Sequence, residues 1–399
     1  MAKPKLCLIP ATIGDKVYSI LPSDGVGDFD FTRGTVATRI NAQGLIEQVA
    51  SGENRLNYSL LDGEVVGCPH LLLEPQRTNL FPYSEDFSQW SKTGSTSVSS
   101  NDNISPDGTQ NASTVSGLTG SGGNDLYLIT GQNPASKTYS LSVYLKGEGI
   151  LRLQMSNNVN QGISENVTLT SDWKRHTVTG TFNSTLGTLS ATLDDSGATA
   201  TEYKVWGAML EEGSYPTSYI KTTSAAVTRA AETCNGSGNA ATFNDSEGVL
   251  MAEISALADD GTNRRISISN GSTSDRVVLG YTGASNQLIV LVSSNSVSGV
   301  ASLVNIDNSL QFNKIALKYK LNDFALWING IEILTDNSLN SPIGLNDLSF
   351  EGADNLNDFY GNTKQIQYFD SVLDSEQLEQ LTSWDSFRAM AEGQQYNIE

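Results

Sequence analysis

The chain has 399 residues, of which 38% are hydrophobic and 17% charged, with a formal net charge of -20. That length is too great for one ordinary core and implies two or three domains. The acidic excess falls mostly after residue 230, which argues against nucleic-acid binding through a basic patch. Low charge with 36 glycines and abundant Ser, Thr and Asn is the composition of all-β domains.

Cys7, Cys68 and Cys234 are odd in number and far apart, so neither a disulfide framework nor a cysteine-rich zinc site is expected, and a reducing cytoplasm suits the chain. The short apolar run near the N-terminus is cut by Pro10 and Asp15, which fits neither a signal peptide nor a membrane span.

Residues 1–80 read as a small β segment. Lys16–Leu21, Phe29–Phe31 and Val36–Ile40 are short strand signals, and Asn41-Ala-Gln-Gly44 turns the chain back into Leu45–Val49 as a hairpin. The segment is too small to bury much surface alone, so it is expected to dock on the next domain or on a partner. Leu71-Leu72-Leu73 reads as a buried strand stopped by Glu74-Pro75. Pro75 and Pro82 then keep the connector extended.

Residues 81–228 read as a β-sandwich. Ser140–Leu145, Leu151–Met155 and Thr177–Phe182 alternate at period two, and Lys204–Leu210 has the continuous apolar character of a core strand. Residues 229–244 are small, polar and Gly-rich, a linker by composition. In residues 245–370 a second sandwich follows, with strands at Gly248–Ile254, Arg265–Ser269, Arg276–Tyr281 and Gln287–Val292. Asn329-Gly330 then makes a hairpin turn between Asn313–Lys320 and a returning apolar arm. In residues 371–399 a short helix opens at Asp374, with Gln377 completing a capping box. Leu378, Leu381, Trp384 and Phe387 supply its packing face.

The run Leu71-Leu-Leu-Glu-Pro-Gln-Arg-Thr-Asn-Leu80, followed by Ser84-Glu-Asp-Phe-Ser-Gln-Trp90, resembles a junction in structural proteins of tailed bacteriophages. Asp28–Arg33, Ala37–Arg39, Gly44–Glu47 and Arg55–Tyr58 extend that resemblance over the N-terminal segment. Ser105–Thr109, Ser171–Lys174 and Trp206–Ile220 are similar to a carbohydrate-binding-module-like jelly roll, with Met209 where relatives usually carry Gln. Asn313–Ile333 and Gln365–Leu378 resemble a laminin-G or concanavalin A-like lectin domain. The resemblance implies a virion fibre or appendage, assembled in the host cytoplasm and displayed on the virion surface. Its partners would be other virion proteins and host-surface glycans, and its assembly a homotrimer by family analogy, with no heptads to mediate it.

Catalytic signals are lacking. Only His70 and His176 are present, without a nucleophile-elbow Ser or Cys, and there is no GxxxxGK[ST], HExxH or strand-GxGxxG-helix unit. Concanavalin-type hydrolases usually carry Glu-x-Asp-x-x-Glu along a strand, and Glu351, Asp354 and Asp358 are spaced otherwise. The chain is therefore expected not to be an enzyme; the alternatives to glycan adhesion are a decoration protein with no ligand and, after it, a polysaccharide depolymerase. For glycan contact Tyr215 and Tyr219 are the candidates, because Trp90, Trp173, Trp206, Trp327 and Trp384 all sit in core-like contexts. For a cation, Asp259, Asp260 and Asn263 in one loop and Asp354 and Asp358 in another offer hard oxygens suited to calcium, though neither loop has EF-hand spacing and solvated turns account for both better. No other cofactor is expected.

Overall fold

The computed structural model describes residues 3–384. The chain is all-β, built on two sandwiches with one short helix at the end of the described residues.

In the first sandwich one sheet runs in the order Ser97–Ile104, Gln110–Ser116, Glu202–Glu212, Thr138–Gly147 and Lys174–Thr181. The facing sheet runs Gly162–Thr168, Ile150–Ser156, Ser190–Asp194, Leu126–Ile129 and Ser91–Lys92. Alternation builds the interior. Leu151, Leu153 and Met155 point in from one sheet to meet Leu141, Val143 and Leu145 of the other, all fully buried. Each such side chain contributes about 1.5–3 kcal/mol by leaving water.

The second sandwich has a five-stranded sheet in the order Val297–Asn305, Gln287–Ser294, Arg276–Tyr281, Arg264–Ser269 and Asp347–Ser349. Its other sheet holds Ile331–Asp336, Phe324–Ile328, Asn313–Lys320, Glu247–Ala256 and Gly361–Phe369. The N-terminal segment completes that sheet. Leu6–Leu8 pairs with Ile366–Tyr368, and Leu71–Leu73 pairs with Gly361–Thr363, so two N-terminal strands share one edge of the strand Gly361–Phe369. Leu6, Leu8 and Leu71 are fully buried in the same core as Ile366 and Tyr368. The N-terminal segment thus packs into the far sandwich across some 290 to 360 residues of sequence.

Residues 229–244, linker-like in composition, carry structure. Arg229 closes a strand paired with Arg77–Asn79, and Thr233–Asn235 pairs with Asp30–Thr32. Between them Glu232, 1% exposed, anchors a buried ionic network. Arg33 Nη1 donates to Glu232 Oε1 at 2.7 Å, and Arg55 donates from Nε to the same oxygen at 2.8 Å and from Nη2 to Oε2. Arg55 Nη1 also reaches Glu74 Oε2 at 2.8 Å, and Arg229 Nη1 lies 2.9 Å from that atom. Burial would push the Glu74 carboxyl up, but Arg229, Arg55 and Ser218 outweigh it and hold it at about 2. The network ties the N-terminal segment, the connector, the exit of the first sandwich and the entry of the second.

The local signals appear as structure. Ala37–Ile40 and Ile46–Val49 form the N-terminal hairpin, and Asn329 and Gly330 take φ of 50° and 84° in the turn where a two-residue hairpin needs them. The helix spans Ser375–Thr382 with both hydrogen bonds of the capping box, and buries Leu378 and Leu381 against Val249, Met251 and Trp327. Phe387 lies outside the described residues. No helix among those described is long and apolar enough to cross a membrane.

Candidate functional site

Neither tyrosine singled out by sequence offers a free ring face. Tyr219 is 4% exposed, packs with its ring centroid 4.5 Å from that of Trp206, and donates its hydroxyl to Glu85 at 2.8 Å. Tyr215 is half-buried, with the Arg77 guanidinium 5.3 Å from its ring centroid. Trp90, Trp206 and Trp327 are buried in cores, as their contexts imply.

The acidic loops are occupied by the chain's own donors. Asp260 accepts from Arg264 at 2.8 Å and Ser214 at 3.1 Å, Asp259 accepts from the Ser285 hydroxyl, and Asn263 accepts from the Gly283 amide. Asp354 accepts from the Leu356 amide, and Asp358 from the Tyr360 hydroxyl. These five residues do not converge on one point. Among the described residues the one cluster with metal-like spacing is Asp125, Asp194 and Asp195, whose oxygens lie within 4.8 Å of one another. Arg152 already pairs with Asp194, and Asp195 takes four hydrogen bonds from Thr119 and Asn124, so the cluster closes loops.

That cluster borders a surface that periodicity alone did not single out. On the second sheet of the first sandwich, the residues alternating with the core ones face outward. Gln154 pairs across to Thr192 on one side and Ser164 on the other, and Thr192 pairs with Tyr127. One row of four strands therefore presents Ser164, Gln154, Thr192 and Tyr127. The next row presents Asn166 and Arg152, the latter joined to the buried Asp194 by an Nε–Oδ2 bond of 3.0 Å. Tyr127 is half-buried, standing between the exposed Ile129 and this ion pair. Gly162 makes room for the Gln154 amide, since a Cβ there would lie 2.9 Å from its Nε2.

The face has the chemistry a sugar needs: one aromatic plane, an Arg–Asp pair and amide and hydroxyl groups on a rigid sheet. At its edge, burial pushes the Asp125 carboxyl up, and the Asp194 charge adds to that. Burial would also raise Asp195, but hydrogen bonds from Asn124 and Thr119 pull it below the usual carboxylate range. The signal in the sequence was the polar half of Ile150–Ser156, Arg152 and Gln154, whose apolar half marked that strand; Leu126–Ile129 carries no such alternation.

No family model matches the chain, and no curated protein sequence does. Among solved structures, the chain is similar in part to a CBM40 module of a Ruminococcus gnavus sialidase bound to α2,3-sialyllactose. The match is at 17% identity and a TM-score of 0.30, covering 35% of this chain and 84% of that one. Domain 4 of a GH43 arabinanase from Geobacillus stearothermophilus, in complex with arabinotriose, matches at 11% identity and a TM-score of 0.32, over 38% and 73% of the two chains. A pentraxin from Limulus polyphemus matches at 12% and 0.29, over 36% and 72%. Scores of this size carry no conclusion about ligand or activity.

Proposed function

We propose that this chain is a non-enzymatic, glycan-binding structural protein of a bacteriophage virion, a head or tail fibre or related appendage on the particle surface. The observation that carries the glycan reading is the outward face of the first sandwich, where Tyr127 stands beside Gln154, Thr192 and the Arg152–Asp194 pair. A pyranose ring stacked on Tyr127 would set its hydroxyls among these donors and acceptors. One such contact is weak, and many copies on a particle would multiply it. The virion reading rests on the sequence resemblance at Leu71–Trp90 and along the N-terminal segment, whose anchoring in the far sandwich suits a rigid attachment unit.

A second reading is a decoration protein with no ligand. In its favour, Trp90, Trp206 and Trp327 are all buried, so no tryptophan platform among them is presented to solvent. A glycan array probed with the full chain separates the two, since decoration alone predicts no bound glycan. Immunogold labelling of intact particles tests the location, and an absence of label would overturn the virion reading.

A further inference from the structure

We propose that the cleft between the N-terminal hairpin and the first sandwich is a separate site for a carboxylate group, the acid function of a single acidic sugar residue. The cleft has a volume of about 160 Å³ and is lined among others by Arg39, Ile40, Glu74, Tyr144 and Arg175. It lies on a different part of the molecule from the Tyr127 face, and it draws on the glycan reading only for the source of the carboxylate.

Two arginines in the lining carry a donor without an acceptor. Arg175 donates from Nη1 to the Thr217 carbonyl at 2.7 Å and from Nη2 to the Ser142 hydroxyl at 2.8 Å and Met209 Sδ at 3.4 Å, and its Nε–H has no partner among the described residues. Arg39 donates to Glu47 at 2.9 Å and to the Leu56 carbonyl at 3.3 Å, and its Nε–H also has none among the described residues. The Tyr144 hydroxyl, pushed toward its neutral form by burial, has no hydrogen-bond partner among the described residues, and the Arg175 guanidinium lies 5.6 Å from its ring centroid. The carboxylate in the lining is already engaged, because Glu74 is held by Arg55, Arg229 and Ser218.

Charge points the same way. Arg175 has no ion-pair partner among the described residues, and Glu211, whose charge acts on it, is itself pushed up by burial. In a chain of net charge -20, this cleft gathers guanidinium groups with donors to spare. Buried donors left without acceptors call for an acceptor-rich, anionic ligand, and a carboxylate suits the guanidinium fork. Drug-sized pockets run to about 300–1,000 Å³, so this cleft would take one acid group and the ring that bears it, not an oligosaccharide.

Calorimetric titration of the full chain with glucuronate, acetate and glucose tests the proposal. Glucuronate is expected to bind and glucose not. Arg175→Gln should lower glucuronate affinity by about tenfold or more, and Tyr144→Phe, which keeps the ring, by about threefold. Acetate binding as tightly as glucuronate would assign the site to carboxylates at large, and weaker acetate would assign it to acidic sugars. Failure of glucuronate to bind, or equal binding of glucose, or an unchanged affinity in a folded Tyr144→Phe protein, would overturn the proposal. None of these outcomes bears on Tyr127, so a failure here is distinguishable from a failure of the glycan-binding face.

Discussion

Arg55 Nε lies 2.8 Å from Oε1 of Glu232, a carboxylate 177 residues further along the chain, and both side chains are fully buried. This pair sits where the N-terminal segment, the connector and the start of the second sandwich meet. Arg33 and Glu74 complete it from either side.

Removing Glu232 leaves Arg33 and Arg55 without this partner while both guanidinium groups stay buried away from solvent. Glu232→Gln should therefore destabilise the protein by about 3–5 kcal/mol. Urea denaturation checks the loss, and limited proteolysis should find new cleavage near residues 33–55. A change within measurement error would show that the network is not essential to the fold.

Acid should weaken the protein in two stages. His70, 3% exposed, is held down to about 3 by burial and by the nearby Lys364 charge. A folded-state pKa below the unfolded value of 6.5 means that its contribution is present above that pH and lost as pH falls from 6.5 toward 3. Glu74, held at about 2 against an unfolded value of 4.5, loses its contribution between 4.5 and 2. Linkage puts the two at roughly 3–5 kcal/mol each at full loss. The melting temperature should fall steadily below pH 6.5, and His70→Gln should flatten the first stage. A flat profile down to pH 4 in the parent protein would contradict this.

The C-terminal helix depends on Asp374, whose side chain accepts from the Gln377 backbone amide at 2.8 Å while Gln377 Oε1 accepts from the Asp374 backbone amide at 3.1 Å. Asp374→Ala should cost about 1 kcal/mol. Hydrogen exchange should show faster opening of Ser375–Thr382 with little change in the strands beneath. Equal acceleration in Glu247–Ala256 would mean that the helix and the sheet open together.

Much of this fold is legible in local pattern. Period-two alternation marks Ile150–Ser156, and Asn329-Gly330 and Asp374 with Gln377 announce a turn and a cap through residues within four positions of one another. Long-range partnership is not written that way. Leu6–Leu8 and Leu71–Leu73 read as short apolar strands, but nothing in them names Gly361–Phe369 as the strand they join. Arg33, Arg55, Arg229, Glu74 and Glu232 look like ordinary surface charges until folding brings them together in the interior. Tyr127 was hidden for a related reason. Its strand is only four residues long, and its value as a binding surface comes from Thr192 and Gln154, beside it in register and distant in sequence.

Glycan binding through the Tyr127 face is the central claim, and one paired measurement tests it most directly. The full chain and its Tyr127→Ala variant should be compared on the same glycan array, with matched melting temperatures as a check on folding. The account predicts that the parent binds a restricted set of glycans and that the variant loses most of that signal, consistent with a stacking contact of about 1–2 kcal/mol. Binding that survives intact in the variant, or no binding by the parent at any density, would contradict it.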